Sequence, residues 1–322
     1  MATHRKSFVW QRSILLLALL AAGGGFSIGL IMTASRAFHQ TSLLPPPQFR
    51  QGHTGKPDSI SVKALAQVEA SKSAMLGGLE QEAKVKSLVV SVPRQFQGTI
   101  VSEAKLNASD KVIALTFDDG PWPKTTEQVL DILKQKGVKA TFFWIGEPLQ
   151  NYPKIAQRVV AEGNAVGNHT WHHWYRRMDE ATAAHEIDRT EDLIYKTTGV
   201  RTFLFRPPGG ILHNGPPDYA KNNKYVVVMW SSLAQEFNRR ASSRTLVNDV
   251  LRSAKSGGIV LLHDGGGNHH KTVEALPQII DGLKQRGYRF VTVPQLLEMQ
   301  EKEQRVTTAN KPALPTGAVQ RP

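Results

Sequence analysis

Four short segments carry side chains whose types and spacing could do chemistry. Asp118 and Asp119 stand together in Thr-Phe-Asp-Asp-Gly-Pro, and His169 and His173 are four positions apart in Asn-His-Thr-Trp-His-His. Arg206 opens Arg-Pro-Pro-Gly-Gly, and His263 follows an apolar run in Leu-Leu-His-Asp-Gly. Two adjacent buried carboxylates are costly unless a cation meets them. Two neutral imidazoles and one carboxylate make a three-ligand metal site with positions left open for water and substrate. The four-residue spacing lets both imidazoles face one site from a single helical turn. It is not the zinc-protease HExxH pattern, because Thr170 stands where that motif needs its glutamate base. Arg206 could pair with a carboxylate, glycines near it let backbone N–H groups approach a ligand, and His263 could donate a proton to a leaving group. Taken singly, each segment has an ordinary explanation: a polar turn, structural histidines, a rigid Pro-Gly turn, a satisfied core histidine.

Their placement makes the combination stronger. From residue 109 to 300, short β-branched and apolar runs alternate with stretches of helical periodicity. Strands are expected near 111–117, 139–145, 164–167, 202–205, 225–230, 258–262 and 289–293, with helices between them. Such alternation implies parallel strands with helices outside. About seven strands are too few for a regular eight-stranded barrel. The expected fold is therefore α/β, a distorted and incomplete (β/α) barrel, with an open doubly wound sheet as the alternative. In either, chemistry collects at the C-terminal ends of the strands, where all four segments fall.

The rest of the chain is organised around this domain. Residues 13–35 contain no charged side chain, and Arg5, Lys6 and Arg12 precede them. About 20 apolar residues cross a bilayer, and the basic flank places the N-terminus inside. Residues 1–35 are read as a cytoplasmic stub with a signal-anchor, favoured over a cleaved signal peptide, so the expected location is extracytoplasmic: membrane-anchored, in the periplasm or at the cell surface, or secreted if the segment is cleaved. Residues 36–86, with Pro45, Pro46 and Pro47, read as a linker, 87–108 as accessory strands, and 301–322 as a disordered tail.

The formal net charge is +13, with Lys and Arg spread along the chain. No dense basic stripe interleaved with aromatics is present, which argues against nucleic acid and for an anionic surface as neighbour. The chain has no cysteine, so any metal must use His, Asp or Glu. Oligomeric state is not legible.

The sequence resembles the polysaccharide deacetylases of carbohydrate esterase family four, the chitooligosaccharide-deacetylase homology domain. The resemblance spans 112–297 and runs through TFDDGPWP, KATFFWIG, GNHTWHH, FRPPGG, VVVMWS, IVLLHDGGGN and YRFVTVPQLL in order. It implies a distorted β/α barrel and a divalent metal, zinc first and cobalt second, held by Asp119, His169 and His173. It implies Asp118 as general base, Arg206 holding Asp118, and His263 as general acid. Gly209, Trp230, Glu236, Phe237 and Leu261 would form the oxyanion contact and substrate groove. The implied reaction removes N-acetyl groups from a GlcNAc-containing polysaccharide, such as peptidoglycan, a chitin-like chain or an exopolysaccharide, releasing acetate. The alternatives are an O-acetyl esterase on xylan-like glycans and a non-catalytic wall-glycan-binding protein.

Two departures stand out. Family members carry Tyr where this chain has Gly209, so a ring walling the groove is expected to be missing. The family's D-x-x-D-W segment appears as Leu233-Ala234-Gln235-Glu236-Phe237. Glu236 is expected to replace the carboxylate that tunes the acid His, and Phe237 the Trp that meets the acetyl methyl, whereas Leu233 cannot replace a carboxylate.

Overall fold

The computed structural model describes residues 67–69, 71–73, 89–90, 92–107 and 109–309. The apolar segment at 13–35, nearly all of the linker and the last residues of the tail lie outside them. Among the described residues no helix is long and apolar enough to cross a membrane. The sheet and the site belong to the unit that begins at Ser71.

The framework is set by two strands that are buried on both faces, β3 (Val112–Asp118) and β10 (Gly258–His263). Parallel sheets covered on both faces need such continuous apolar runs. The two pair in parallel, with Leu261 opposite Thr116 and His263 opposite Asp118. Beside β3 lie β4 (Thr141–Trp144), β5 (Ala165–Asn168), β7 (Leu204–Phe205), β8 (Val226–Val228) and β2 (Ile100–Val101). Beyond β10 lies β9 (Ser232–Leu233). The path β2-β8-β7-β5-β4-β3-β10-β9 is parallel throughout and does not close, while β11 (Arg289–Phe290) pairs the start of β3. A separate parallel pair joins β1 (Val89–Val90) to β6 (Arg201–Thr202).

This is the incomplete barrel that the sequence implies, with more strands than expected. The extra ones are two residues long. One of them, β2, comes from the segment read as accessory to the domain and instead forms an edge of its sheet.

Strand alternation sorts the side chains of β3. Ile113, Leu115 and Phe117 pack outward against helices α1 (Thr125–Lys136), α6 (Ser243–Ser253) and α7 (His270–Gln285). Val112 and Ala114 join an inner cluster with Phe143, Ile259 and the helix α8 (Val293–Ala309), which supplies Val293, Leu296 and Leu297. Thr116 and Asp118 continue that inner row towards the strand end. Helix α8 carries the chain nine residues into the tail expected to be disordered (from 301 to 309). Its exposed last turns are polar, with an Arg305–Glu301 ion pair at 3.0 Å, so no apolar pattern marks them.

The remaining helices are α2 (Gly146–Asn151), α3 (Pro153–Ala161), α4 (Glu180–Thr198) and α5 (Pro216–Asn222). The N-terminus of α4 is fixed by Asp179, whose side chain accepts from the Thr182 N–H at 2.8 Å. The αL residue Gly199 closes its other end.

Candidate metal and acid–base site

Asp118 is the last residue of β3 and points along the inner row. Its Oδ1 accepts from Arg206 Nη1 at 2.7 Å. Arg206, one residue past β7, is fully buried. Its other donors reach Thr116 Oγ1 at 2.8 Å, Val228 O at 2.9 Å and Met229 O at 3.2 Å. A guanidinium with no exposure needs this set of acceptors and a counter-charge. Burial pulls its pKa down, and the Asp118 charge and hydrogen bond oppose that.

Asp119 would point away from Asp118 if the strand continued. It turns instead, at φ 73°, a left-handed conformation uncommon outside glycine. The glycines after His263 make room for this turn: a Cβ on Gly265 would meet Asp119 O at 2.1 Å, and one on Gly266 would meet Asp119 Oδ2 at 2.9 Å. The result brings Asp119 Oδ1 to 3.4 Å from His169 Nε2 and 3.3 Å from His173 Nε2.

The two histidines do not lie on a helical turn, as their spacing suggested. They sit in an irregular loop after β5, in which Thr170 (φ 68°) and His173 (φ 60°) are both left-handed. Glu186 of α4 braces that loop, accepting from the Trp171 and His172 N–H groups at 3.1 and 2.9 Å and meeting His172 Nδ1 at 2.5 Å. Asn168 Oδ1 accepts from the Thr170 N–H at 2.9 Å. The strain is local and is held by these buried bonds.

The donor set fits a metal. His169 Nδ1 lies 2.6 Å from the Arg206 carbonyl oxygen. A carbonyl only accepts, so Nδ1 donates there and Nε2 is the nitrogen left to serve as a ligand. Burial pushes the His173 imidazole down to about 4, so it is neutral near pH 7. Asp119 Oδ1 is buried without a hydrogen-bond partner. The three ligand atoms lie within 4.8 Å of one another. Facing lone pairs and an unsatisfied carboxylate oxygen repel one another unless a cation joins them.

His263 ends β10 directly across from Asp118. Its Nδ1 lies 2.7 Å from Glu236 Oε2, and its backbone N–H donates to Glu236 Oε1 at 3.1 Å. Thr272 Oγ1 also donates to Glu236 Oε1. Burial pulls the imidazole down, but the Glu236 hydrogen bond and charge, aided by Asp118 and Asp119, raise it to about 9. Phe237 meets this ring edge-on, centroids 4.6 Å apart.

One cavity of ≈180 Å³ joins the triad, Asp118 and His263. Of the residues expected in the groove, Gly209, Trp230, Phe237 and Leu261 line it. Glu236 stands behind His263 rather than in the lining. The wall expected to be missing at Gly209 is filled: the Tyr175 ring lies against it, where a Cβ on Gly209 would be 2.7 Å from Tyr175 Cε1. Tyr175, Glu186 and the buried His269, whose ring stacks on His263 at 5.7 Å, were not foreseen. Tyr175 and Glu186 act through a loop whose path no local pattern declares. For His269 the only sequence signal was its proximity to His263.

At the strand ends of this parallel, incomplete barrel, Asp119, His169 and His173, which could hold a metal, meet Asp118 and His263 around one cavity. A polysaccharide deacetylase family model matches residues 105–228. A peptidoglycan-N-acetylglucosamine deacetylase of Bacillus cereus is 42% identical over 192 residues, covering 59% of this chain and 89% of that protein. The peptidoglycan-N-acetylmuramic acid deacetylase PdaC of Bacillus subtilis is 36% identical over 225 residues, and this match takes in 70% of the chain but only 45% of PdaC. A crystal structure of a peptidoglycan N-acetylglucosamine deacetylase in complex with 4-naphthalen-1-yl-N-oxidanyl-benzamide matches with TM-score 0.58 at 34% identity, over 63% of this chain and 94% of that one. The chain belongs to the polysaccharide deacetylase family, carbohydrate esterase family four.

Proposed function

We propose that this protein is a metal-dependent deacetylase that removes N-acetyl groups from a GlcNAc-containing glycan, with peptidoglycan as the first candidate. The observation that carries the reading is the meeting of three groups in one cavity: the Asp119–His169–His173 set, the Asp118–Arg206 pair and the Glu236–His263 pair. The printed activities of the relatives support the substrate class.

Asp119, His169 and His173 would hold a divalent metal, zinc or cobalt, which when bound supplies Lewis-acid polarisation of the acyl carbonyl and a lowered water pKa. Asp118 takes the proton of the attacking water. Arg206 occupies Asp118 Oδ1 and leaves Oδ2 as the accepting oxygen. The backbone at Gly209 lines the cavity where a carbonyl oxygen would gain charge. His263, protonated near pH 7, gives its proton to the departing sugar nitrogen as the C–N bond breaks, and Glu236 steadies the imidazolium until then. Water adds across the amide, and acetate and a free amine leave. An amine departs poorly unless protonated, so an acid held at about 9 supports the amide reading over an ester.

An extracytoplasmic location completes the proposal, since the glycans named lie outside the cytoplasm. The test is acetate release by the full-length protein, loaded with zinc or cobalt, from peptidoglycan, N-acetylglucosamine oligomers and acetylated xylan. Release from the first two supports the reading. Release from xylan alone would replace it with an O-acetyl esterase, and no release from any of them would sink it.

A further inference from the structure

Two consecutive residues behind Pro208 take left-handed backbone, Gly209 at φ 62° and Gly210 at φ 70°. Each is overlaid by an aromatic ring. A Cβ on Gly209 would lie 2.7 Å from Tyr175 Cε1 and 3.1 Å from Cδ1, and one on Gly210 would lie 2.7 Å from Trp230 Cη2. Side chains do not approach so closely, so glycine at both positions is what lets the rings rest on main chain. Tyr175 is held from a second direction by His173, edge to face, with centroids 5.1 Å apart and planes at 79°. It is nevertheless 57% exposed. The ring is thus supported on main chain and on a metal-site imidazole, lines the same cavity as Asp119, and offers much of its surface to solvent.

We propose that Tyr175 is a sugar-stacking residue that sets specificity, receiving the pyranose ring next to the unit that enters the cavity. The C–H-rich face of a pyranose is apolar and slightly positive, which complements the negative face of an aromatic ring. Tyr offers that surface at low conformational cost, since it has two side-chain torsions and its seat is already built. The cavity of ≈180 Å³ is below the usual size of a ligand pocket and suits one acetamido group and part of its sugar. Recognition of anything longer must come from its rim, and Tyr175 is on that rim beside His173. The protein therefore prefers oligomers to the monosaccharide. This inference rests on the deacetylase reading.

The experiment compares full-length wild type, Tyr175→Ala, Tyr175→Leu and Tyr175→Phe. It measures calorimetric binding of the N-acetylglucosamine tetramer, KM and kcat for acetate release from monomer to tetramer, and bound zinc. Tyr175→Leu keeps apolar bulk against Gly209, which guards against a collapsed loop in Tyr175→Ala. Expected is a loss of tetramer affinity and a rise in KM of about three- to tenfold in the Ala and Leu variants. The zinc content holds, kcat changes by less than about twofold, and Tyr175→Phe behaves as wild type. Tetramer binding unchanged in Ala and Leu overturns the inference. So does a fall in zinc content or kcat with binding retained, since Tyr175 would then only brace His173. A wild type that binds tetramer but releases no acetate sinks the deacetylase reading, while the binding comparison still decides Tyr175. A wild type that does not bind tetramer overturns the inference.

Discussion

Glu236 holds His263 by two atoms, taking the ring Nδ1 contact at 2.7 Å and the backbone N–H at 3.1 Å. The carboxylate therefore fixes both the orientation and the charge of the ring that faces Asp118 across the strands. Neither contact depends on a metal.

The first prediction concerns pH. Burial by itself lowers His263, and Glu236 heads the groups that bring it to about 9. The rate of deacetylation is expected to fall as pH rises through about 9, where the acid loses its proton. A metal at the triad offsets the Asp119 share and moves that limb somewhat towards neutrality. In Glu236→Gln the largest opposition to burial is lost and only the Asp118 and Asp119 charges remain, so the alkaline limb moves towards acid and activity at pH 7.5 drops about tenfold or more. The profile of kcat/KM against pH checks both. The folded pKa exceeds the unfolded value, so His263 contributes stability fully below about 6.5 and loses it as pH rises through about 9.

Arg206 is expected to be structural as well as catalytic. Arg206→Met leaves Asp118 charged, buried and unpaired, which costs ~3–5 kcal/mol. Arg206→Lys keeps the charge but cannot serve Thr116, Asp118, Val228 and Met229 together, so it recovers only part of the loss. Urea unfolding of the three proteins measures this. A Met variant as stable as wild type would show that the pair is not worth what its burial suggests.

Gly265 is predicted to control the metal site from outside it. A Cβ there would fall 2.1 Å from Asp119 O, so Gly265→Ala must displace the left-handed Asp119 turn. Zinc affinity is expected to drop about tenfold or more, in the range seen for groups that support ligands. Gly137→Ala, at a helix end where a Cβ meets nothing within 4 Å, carries only the cost of its φ of 64° and should bind zinc as wild type does.

Much of this site was legible because its parts end buried strands. Val112–Asp118 and Gly258–His263 are continuous apolar runs, and each delivers a polar residue at its last position. Two histidines and a carboxylate as ligands followed from residue types and spacing, the choice of Asp119 came from the family resemblance, and the helical turn inferred for the histidines was wrong. A spacing of four is equally met by a loop with two left-handed residues, and what selects the loop is Glu186, distant in sequence. Glu236 came only from the family pattern, since nothing local links it to His263 (27 positions away). Tyr175 could not be seen, because its seat on Gly209 exists only once that loop has folded. The two-residue strands β2 and β9 carry too few positions for any period.

The central claim is that a metal held by Asp119, His169 and His173 and a base at Asp118 act together. It is tested most directly by titrating zinc into chelator-stripped, full-length protein while measuring acetate release from an N-acetylglucosamine oligomer and bound zinc. Activity should rise with zinc and saturate at about one equivalent per chain. His169→Ala should neither bind zinc tightly nor turn over, and Asp118→Asn should bind zinc normally while losing about 10²–10⁴ of the rate. Turnover that survives complete stripping, or that persists in His169→Ala, would contradict the account.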